Sequence, residues 1–548
     1  MKQYFTILML LCGLSIQAVA AEQSFRIVFG SFQKLSNAEK WAKHISVLTR
    51  VKTGVQRSVG VSPVLYRVAT PVLTGEALVL ATRQARESGM PYWRLPTDLA
   101  GEKHEKYVSL PQPDKQPQPD KEPQPVKEPQ QANEPQPQGK VESGQKASGS
   151  ISIAPSFRQE LNLDLGLQSR FFTHRGVNNQ AYAHPSLSAL IEYRSSWNDG
   201  QDALTFAPFF RLDLEDSKRS HIDIRELYWS RLADDWELNA GFQQIFWGVT
   251  EFNHLVDIIN QTDFVEDIDD EDKLGQPMIN LSLVRDWGIL DIMLLTGFRE
   301  RTFPGNNGRL NFGLQVDRSS TSYASAAGKH RLDGAVRWSH YVGPLVFGLY
   351  HFSGTNRDPQ LQVYEQSPGQ FVYRPHYTTI DQTGLDAQII FGDWVYKIEA
   401  ISRSGDGNRY RATTFGFEKS IVGILDSRAD LGLVAEYMYD NRGDKATTIY
   451  EHDLALGTRW LLNDASDTQA LLGLIWDTKT QETVFSIEAS RRLGDRWKLN
   501  LEGRAFGGGS VLPAGTGFEV IEALQDLQNK SGPLQRDDYI QIELTRYL

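Results

Sequence analysis

Seven carboxylates lie between residues 263 and 272: Asp263, Glu266, Asp267, Asp269, Asp270, Glu271 and Asp272. Oxygen-rich runs of this kind suit hard cations. The spacing does not match the calcium loop of a helix–loop–helix site, which needs ligands at alternate positions around an invariant glycine. The run reads first as a solvated outer loop. Two other readings stay open: a loop that folds into a pore and favours cations there, and a site for a bound cation. Elsewhere, charged residues recur at alternate positions of extended segments. Arg170, Arg194, Arg211, Arg225, Arg403 and Arg504 share this placement with Glu160, Asp164, Glu192, Glu399, Glu436 and Glu502. Mixed charge on one face implies a hydrated surface without marked anion preference, or side chains that pair across a wall and brace it. With the acidic run, Arg170, Arg211 and Arg504 are the candidate pore residues. No nucleophile elbow, phosphate loop or His-x-x-x-His occurs, and the histidines are scattered. Neither enzymatic activity nor a metal or organic cofactor is expected.

The elements that would position these residues are strands. Leu161, Leu163, Leu165, Leu167 and Phe171 alternate with Glu160, Asn162, Asp164, Gln168 and Arg170. The same apolar/charged alternation recurs in residues 204–215, 394–403, 430–440 and 497–504. Side chains alternate across a strand, so each segment has one apolar and one polar face. A soluble sandwich also alternates. Strong charge on the second face, strand after strand, suits a water-filled lumen better. Short turn signals fall at Asn198-Asp199-Gly200, Asp234-Asp235, Asp286-Trp287-Gly288, Val342-Gly343-Pro344, Gly392-Asp393, 425–428, 463–467 and Gly494-Asp495. Between them lie the other connections, long at residues 173–184, 249–275, 299–329, 354–374 and 507–536, and shorter at 215–220 and 404–408. A walk from one side places every tight turn on that side and every long loop on the other, and uses eighteen strands. An even count with this asymmetry is what a transmembrane antiparallel β-barrel requires. Trp236, Trp287, Trp394 and Trp497 lie at or beside the short turns, as an interfacial girdle would.

The last ten residues end Ile540-Gln-Ile-Glu-Leu-Thr-Arg-Tyr-Leu548, with Ile540, Ile542, Leu544 and Leu548 on one face. This resembles the terminal signal of bacterial outer-membrane β-barrels. It departs from that pattern in ending on Leu548 rather than Phe and in carrying Arg546. The resemblance implies recognition by the barrel-assembly machinery. Residues 241–310 resemble a broad group of proteobacterial outer-membrane proteins, on Gly241-Phe-Gln243, Trp247-Gly248, Asp257-Ile-Ile-Asn260, Lys273-Leu-Gly-Gln-Pro277 and Phe303-Pro-Gly305. That likeness implies a barrel and little about substrate.

The rest of the chain divides by composition. Lys2, an apolar run from Tyr4 to Ile16 and Ala18-Val19-Ala20 read as a secretory signal over residues 1–21. The only cysteine, Cys12, lies inside it, so no disulfide is expected. No run after it is long and apolar enough for a membrane helix. Residues 99–150 form a linker rich in Pro, Gln, Glu and Lys that cannot build a core. Residues 24–98 read as a small domain of order βαββαβ, with helices over 37–48 and 76–88. On Phe29-Gly30-Ser31-Phe32, Asn37-Ala38-Glu39 and Tyr66-Arg67-Val68, this domain resembles the sporulation-related repeat (SPOR) family. The chain has Val28 where that family often has Gln, and Thr70-Pro71-Val72 where it usually has Gly-Pro-Phe. The resemblance implies binding of peptidoglycan glycan strands across the sheet, with Ser31 and Arg67 carried over by position. Tyr66 and Trp93 are candidates for stacking on sugar rings, with core packing as the alternative.

The expected protein is therefore mainly β. A small α+β periplasmic domain and a flexible spacer precede an outer-membrane barrel of about 18 strands over residues 151–548. The expected partners are outer-membrane lipid, glycan strands and the assembly machinery. A net charge of −11 argues against nucleic acid. Two functions fit: a porin-like channel for small hydrophilic solutes, and a non-conducting anchor that ties the membrane to the cell wall.

Overall fold

The computed structural model describes residues 157–198 and 200–548, and five short strands before them. The chain divides into two units at Pro155. In the first unit, β1 (Ser24–Phe32), β2 (Gly54–Arg57), β3 (Tyr66–Ala69), β4 (Leu73–Thr74) and β5 (Trp93–Pro96) pair as one antiparallel sheet. β1 is central, hydrogen-bonded to β3, β4 and β5. The two helices expected at 37–48 and 76–88, the signal segment and the linker lie outside the described residues.

The second unit is a closed antiparallel barrel of 18 strands. They begin with β6 (Arg158–Phe172), β7 (Ala183–Trp197), β8 (Asp202–Asp213), β9 (His221–Leu232), β10 (Trp236–Gln243), β11 (Gln276–Arg285) and β12 (Gly288–Leu295). After a two-residue loop strand, β13 (Ser322–Tyr323), come β14 (Asp333–Val342) and β15 (Leu345–Thr355). A loop hairpin, β16 (Gln360–Ser367) and β17 (Gln370–Tyr377), precedes β18 (Thr379–Phe391), β19 (Trp394–Ser404), β20 (Tyr410–Ile421) and β21 (Asp430–Asp440). The wall ends with β22 (His452–Leu461), β23 (Gln469–Asp477), β24 (Thr483–Leu493), β25 (Trp497–Gly507) and β26 (Tyr539–Tyr547). Each wall strand pairs with its chain neighbour. β26 closes the ring on β6, from Tyr539 opposite Phe172 to Tyr547 opposite Asp164. Closure removes the free edges that an open sheet would expose.

The pleat sorts the side chains as the alternation predicts. On β6, Leu161, Leu167 and Phe171 are 61%, 57% and 49% exposed, while Gln168 and Arg170 between them are 4% and 6%. On β26, Ile540 and Ile542 are exposed and Gln541 is buried. The outside of the barrel is thus apolar and the inside carries polar groups. All eight short turns fall where the turn signals stand. Trp287 and Trp497 are exposed at that end, with Lys419 4.7 Å over the Trp394 ring and Arg546 5.3 Å over Trp497.

Two features correct the sequence reading. The connection at 354–374 is no plain loop: β16 and β17 form a hairpin, and β13 adds to β17 in parallel. The inner wall is not charged throughout. Met278, Met293, Leu295, Ala335, Tyr350, Phe352, Ile380, Ile401 and Ala412 form a buried apolar patch on it. That patch is covered by part of the long connection between β10 and β11.

Candidate functional site

Residues 244–275 leave β10 and return to β11 through the interior of the barrel. Asn260, 2% exposed, closes the neck of this loop. Its Nδ2 donates to the carbonyls of Gln243 at 2.8 Å and Leu274 at 2.9 Å, and its Oδ1 accepts from Ile245 N at 2.9 Å. Close approach at the exit needs a glycine. A Cβ on Gly275 would lie 2.2 Å from the Arg225 carbonyl oxygen. That carbonyl belongs to a bulge in β9 opposite Pro208, which lacks the N–H a regular ladder would use.

The loop docks through two chemically different halves. Trp247, Val256, Ile258 and Ile259 pack on the apolar patch, and Trp247 meets the Tyr350 ring at 4.8 Å. Beside them, Glu399 of β19 accepts from Val249 N at 2.7 Å, Thr250 N at 3.0 Å, Thr250 Oγ1 at 2.7 Å and Val256 N at 3.2 Å. Glu436 of β21 accepts from Glu251 N at 2.7 Å and Phe252 N at 3.0 Å. These wall carboxylates satisfy the backbone of an irregular segment that has no ladder of its own. Glu251 in turn pairs with Arg459 of β22 at 2.5 Å.

The acidic half meets arginines from the opposite part of the wall. Asp263, 0% exposed, pairs with Arg225 Nη2 at 2.7 Å, and also contacts His221 at 3.2 Å and Thr302 Oγ1 at 2.7 Å. Glu266 is gripped by Arg211, with Nε at 2.7 Å from Oε1 and Nη2 at 2.6 Å from Oε2. Asp267 pairs with Arg170 at 2.7 Å, and Asp269 with Arg504 at 2.8 Å. Arg219, in the connection before β9, donates to the Val265 carbonyl at 2.8 Å and pairs with Asp213 at 2.9 Å. Burial alone would raise these loop carboxyls. For Asp263 the His221 hydrogen bond and the Arg225 charge outweigh burial and hold it well below the usual range. For Glu266 the Arg211 and Arg219 charges outweigh burial and lower it.

The acidic run is therefore not a solvated outer loop. Asp263, Glu266 and Asp267 are buried against the wall, and Asp269 is partly buried. The remaining three, Asp270, Glu271 and Asp272, are exposed. Glu271 nevertheless feels the Asp269, Glu488 and Glu251 charges from around the interior. Its position deep inside the barrel, with those charges, pushes its carboxyl up.

The candidate residues thus fall into groups. Arg170, Arg211 and Arg504 come together with Asp263, Glu266, Asp267 and Asp269 in one network, and Asp270, Glu271 and Asp272 stand at its wet side. Some inward charges brace the wall, as Arg403 does on Gln382, Arg337 on Asp386 and Lys397 on Glu418. Arg170, Arg211, Arg225 and Arg504 each bond to the loop. Arg219, His221, Glu399 and Glu436 complete the docking surface, and the sequence reading did not place them in the site. For Glu399 and Glu436 the signal was a carboxylate on the charged face of an alternating segment. Arg219 and His221 gave no comparable signal. In the first unit, Ser31 stands opposite Arg67, Tyr66 opposite Phe32 and Trp93 opposite Val28.

No known family and no curated protein matches the chain in sequence. Solved structures share a likeness at TM-scores of about 0.4, too distant to bear on function. Wzi, an outer membrane protein involved in group 1 capsule assembly in Escherichia coli and described as a carbohydrate binding β-barrel, is 8% identical, covering 71% of this chain and 84% of that one, with a TM-score of 0.40. OccD3 (OpdP) of Pseudomonas aeruginosa is 9% identical over 71% of this chain and 90% of that one, TM-score 0.40. A BenF-like porin from Pseudomonas fluorescens Pf-5 is 11% identical over 72% and 98%, TM-score 0.40.

Proposed function

We propose that this chain is an outer-membrane, porin-like channel for small hydrophilic solutes, narrowed by residues 244–275. The observation that carries this reading is the placement of Asp270, Glu271 and Asp272, open to water yet inside a barrel whose outer face is apolar. An apolar belt suits lipid, and a wet, charged interior suits solute passage. A barrel of this strand number is wide enough to leave an aqueous channel. Acidic groups at the narrowest part favour cations. The chain should fractionate with the outer membrane, and purified protein in planar bilayers should conduct. Deleting residues 263–272 should raise conductance and weaken cation preference. Free periplasmic protein, or silence in bilayers with and without the loop, would overturn the channel.

A second reading is favoured by the firmness of the docking. The loop is held on both sides of the lumen, by Glu399 and Glu436 on one and by Arg170, Arg211, Arg225 and Arg504 on the other. A plug this well fastened suits a non-conducting anchor. In both readings the SPOR-like residues 24–98 bind peptidoglycan glycan strands, and the Pro-rich spacer sets their reach. Detergent-solubilised full-length protein should pellet with sacculi stripped of stem peptides, and protein lacking residues 24–98 should not. Equal pelleting of the two would remove the tether from either reading.

A further inference from the structure

Two groups of three side chains bring metal-ligating atoms together among the described residues. The first, His221, Asp263 and Glu266, is already filled with positive charge from Arg225 and Arg211. The second differs. Glu451, Asp453 and Asp477 are 1%, 3% and 4% exposed, and each offers one oxygen to a cluster within 4.8 Å. Asp453 and Asp477 are direct cross-strand partners on β22 and β23. Like charges in that register repel, so the pairing costs stability unless something lies between them.

The carboxylates are also held in place. His452 N donates to Asp453 Oδ2 at 3.1 Å. Lys479 N and Thr480 N donate to Asp477 Oδ1 at 2.6 and 2.9 Å. Lys530, from the loop before β26, reaches Glu451 Oε1 at 2.7 Å. The other Glu451 oxygen, Oε2, is buried and has no hydrogen-bond partner. A carboxylate oxygen left so is expensive. One ammonium, that of Lys530, faces three carboxyl groups.

We propose that Glu451, Asp453 and Asp477 form a binding site for a hard divalent cation, calcium by its all-oxygen donor set, where β22 and β23 meet the long loops. A calcium ion takes six to eight oxygens. The three carboxylates supply an anchoring face, and water completes the shell. The cation would answer the orphaned Glu451 oxygen and the Asp453–Asp477 repulsion together. It would also join the β22–β23 pair to the loop that carries Lys530. The competing chemistry is a proton shared among the three acids.

The test uses full-length protein in detergent with terbium and calcium as probes. Tyr450 and Trp476 stand next to Glu451 and Asp477 in the chain and sensitise terbium emission. The expected result is saturable emission that calcium displaces. Asp453→Asn with Asp477→Asn should weaken calcium binding by about tenfold or more. A triple Asp270→Asn, Glu271→Gln, Asp272→Asn variant should keep it. If the double variant does not fold, Asp453→Asn alone is read, since it removes one ligand and relieves repulsion. No saturable binding at millimolar calcium overturns the proposal. So does unchanged affinity in a folded Asp453 or Asp477 variant, or loss of binding in the triple variant alone.

Discussion

Arg170 on β6 donates from Nη2 to Asp267 Oδ2 at 2.7 Å, across 97 residues of chain. Its neighbour bond, to the Glu266 carbonyl at 2.6 Å, belongs to the same turn of the loop. The wall and the loop thus share one buried charge network, and the position of the loop depends on it.

Breaking that network should free the loop. Arg211→Ala leaves Glu266 buried without its bidentate partner, and breaking a buried pair from one side costs about 3–5 kcal/mol. Single-channel recordings should show a larger, flickering conductance. A conductance equal to that of the parent protein would mean that Arg211 does not hold the loop.

The opposite anchor makes a separate prediction. Glu399→Gln keeps the shape but replaces one accepting oxygen with a donor, facing four loop donors. A buried donor left without an acceptor costs about 1–3 kcal/mol. Amide exchange at residues 249–256 should accelerate, while exchange in β19 itself should not change. Uniform acceleration across the barrel would point to a general loss of stability.

Acid should not open the loop under mild conditions. Asp263 and Glu266 are held below the usual range, so their contribution to docking is complete above the unfolded values of about 3.9 and 4.3. It is lost only as pH falls through the lowered folded values. Loop protection from proteolysis should therefore not decline between neutral pH and the ordinary carboxylate range, and should fall below it. Loss of protection near neutrality would contradict the pairing.

The outer face of a strand should reject charge. Leu456 on β22 is 48% exposed on the apolar outer face, and Ala455 beside it is fully buried within. Leu456→Arg should destabilise the barrel in lipid by about 2–4 kcal/mol if it lies near the bilayer midplane. Folding into vesicles, followed by gel shift, measures it. A neutral outcome would argue that this face does not meet lipid.

Most of the barrel was legible because its signals are local. The alternation of Leu161 to Phe171 assigns the faces of β6 without any partner, and pairs such as Gly494-Asp495 mark turns by their own conformational preferences. The direction of the loop was not local. Asp263 to Asp272 carries the same charge whether it meets water or arginines. The arginines that decide the matter, Arg170, Arg211, Arg225 and Arg504, lie on four different strands. The Glu399 anchor was hidden for another reason. It binds backbone N–H groups, which every residue but proline possesses, so no residue type announces them. The apolar inner patch was hidden because Met278 or Ile380 looks the same whichever face it takes.

The central claim is that residues 244–275 lie in a conducting path. Outside Cys12, the chain has no cysteine, so Glu271→Cys places one thiol on the wet side of the loop. The measurement is single-channel current in planar bilayers before and after a bulky, charged, membrane-impermeant thiol reagent. A porin-like channel narrowed by this loop predicts a steady current that drops stepwise on modification, with the parent protein unaffected. A current that modification leaves unchanged would put the loop outside the path, and no current from either protein would contradict the channel itself.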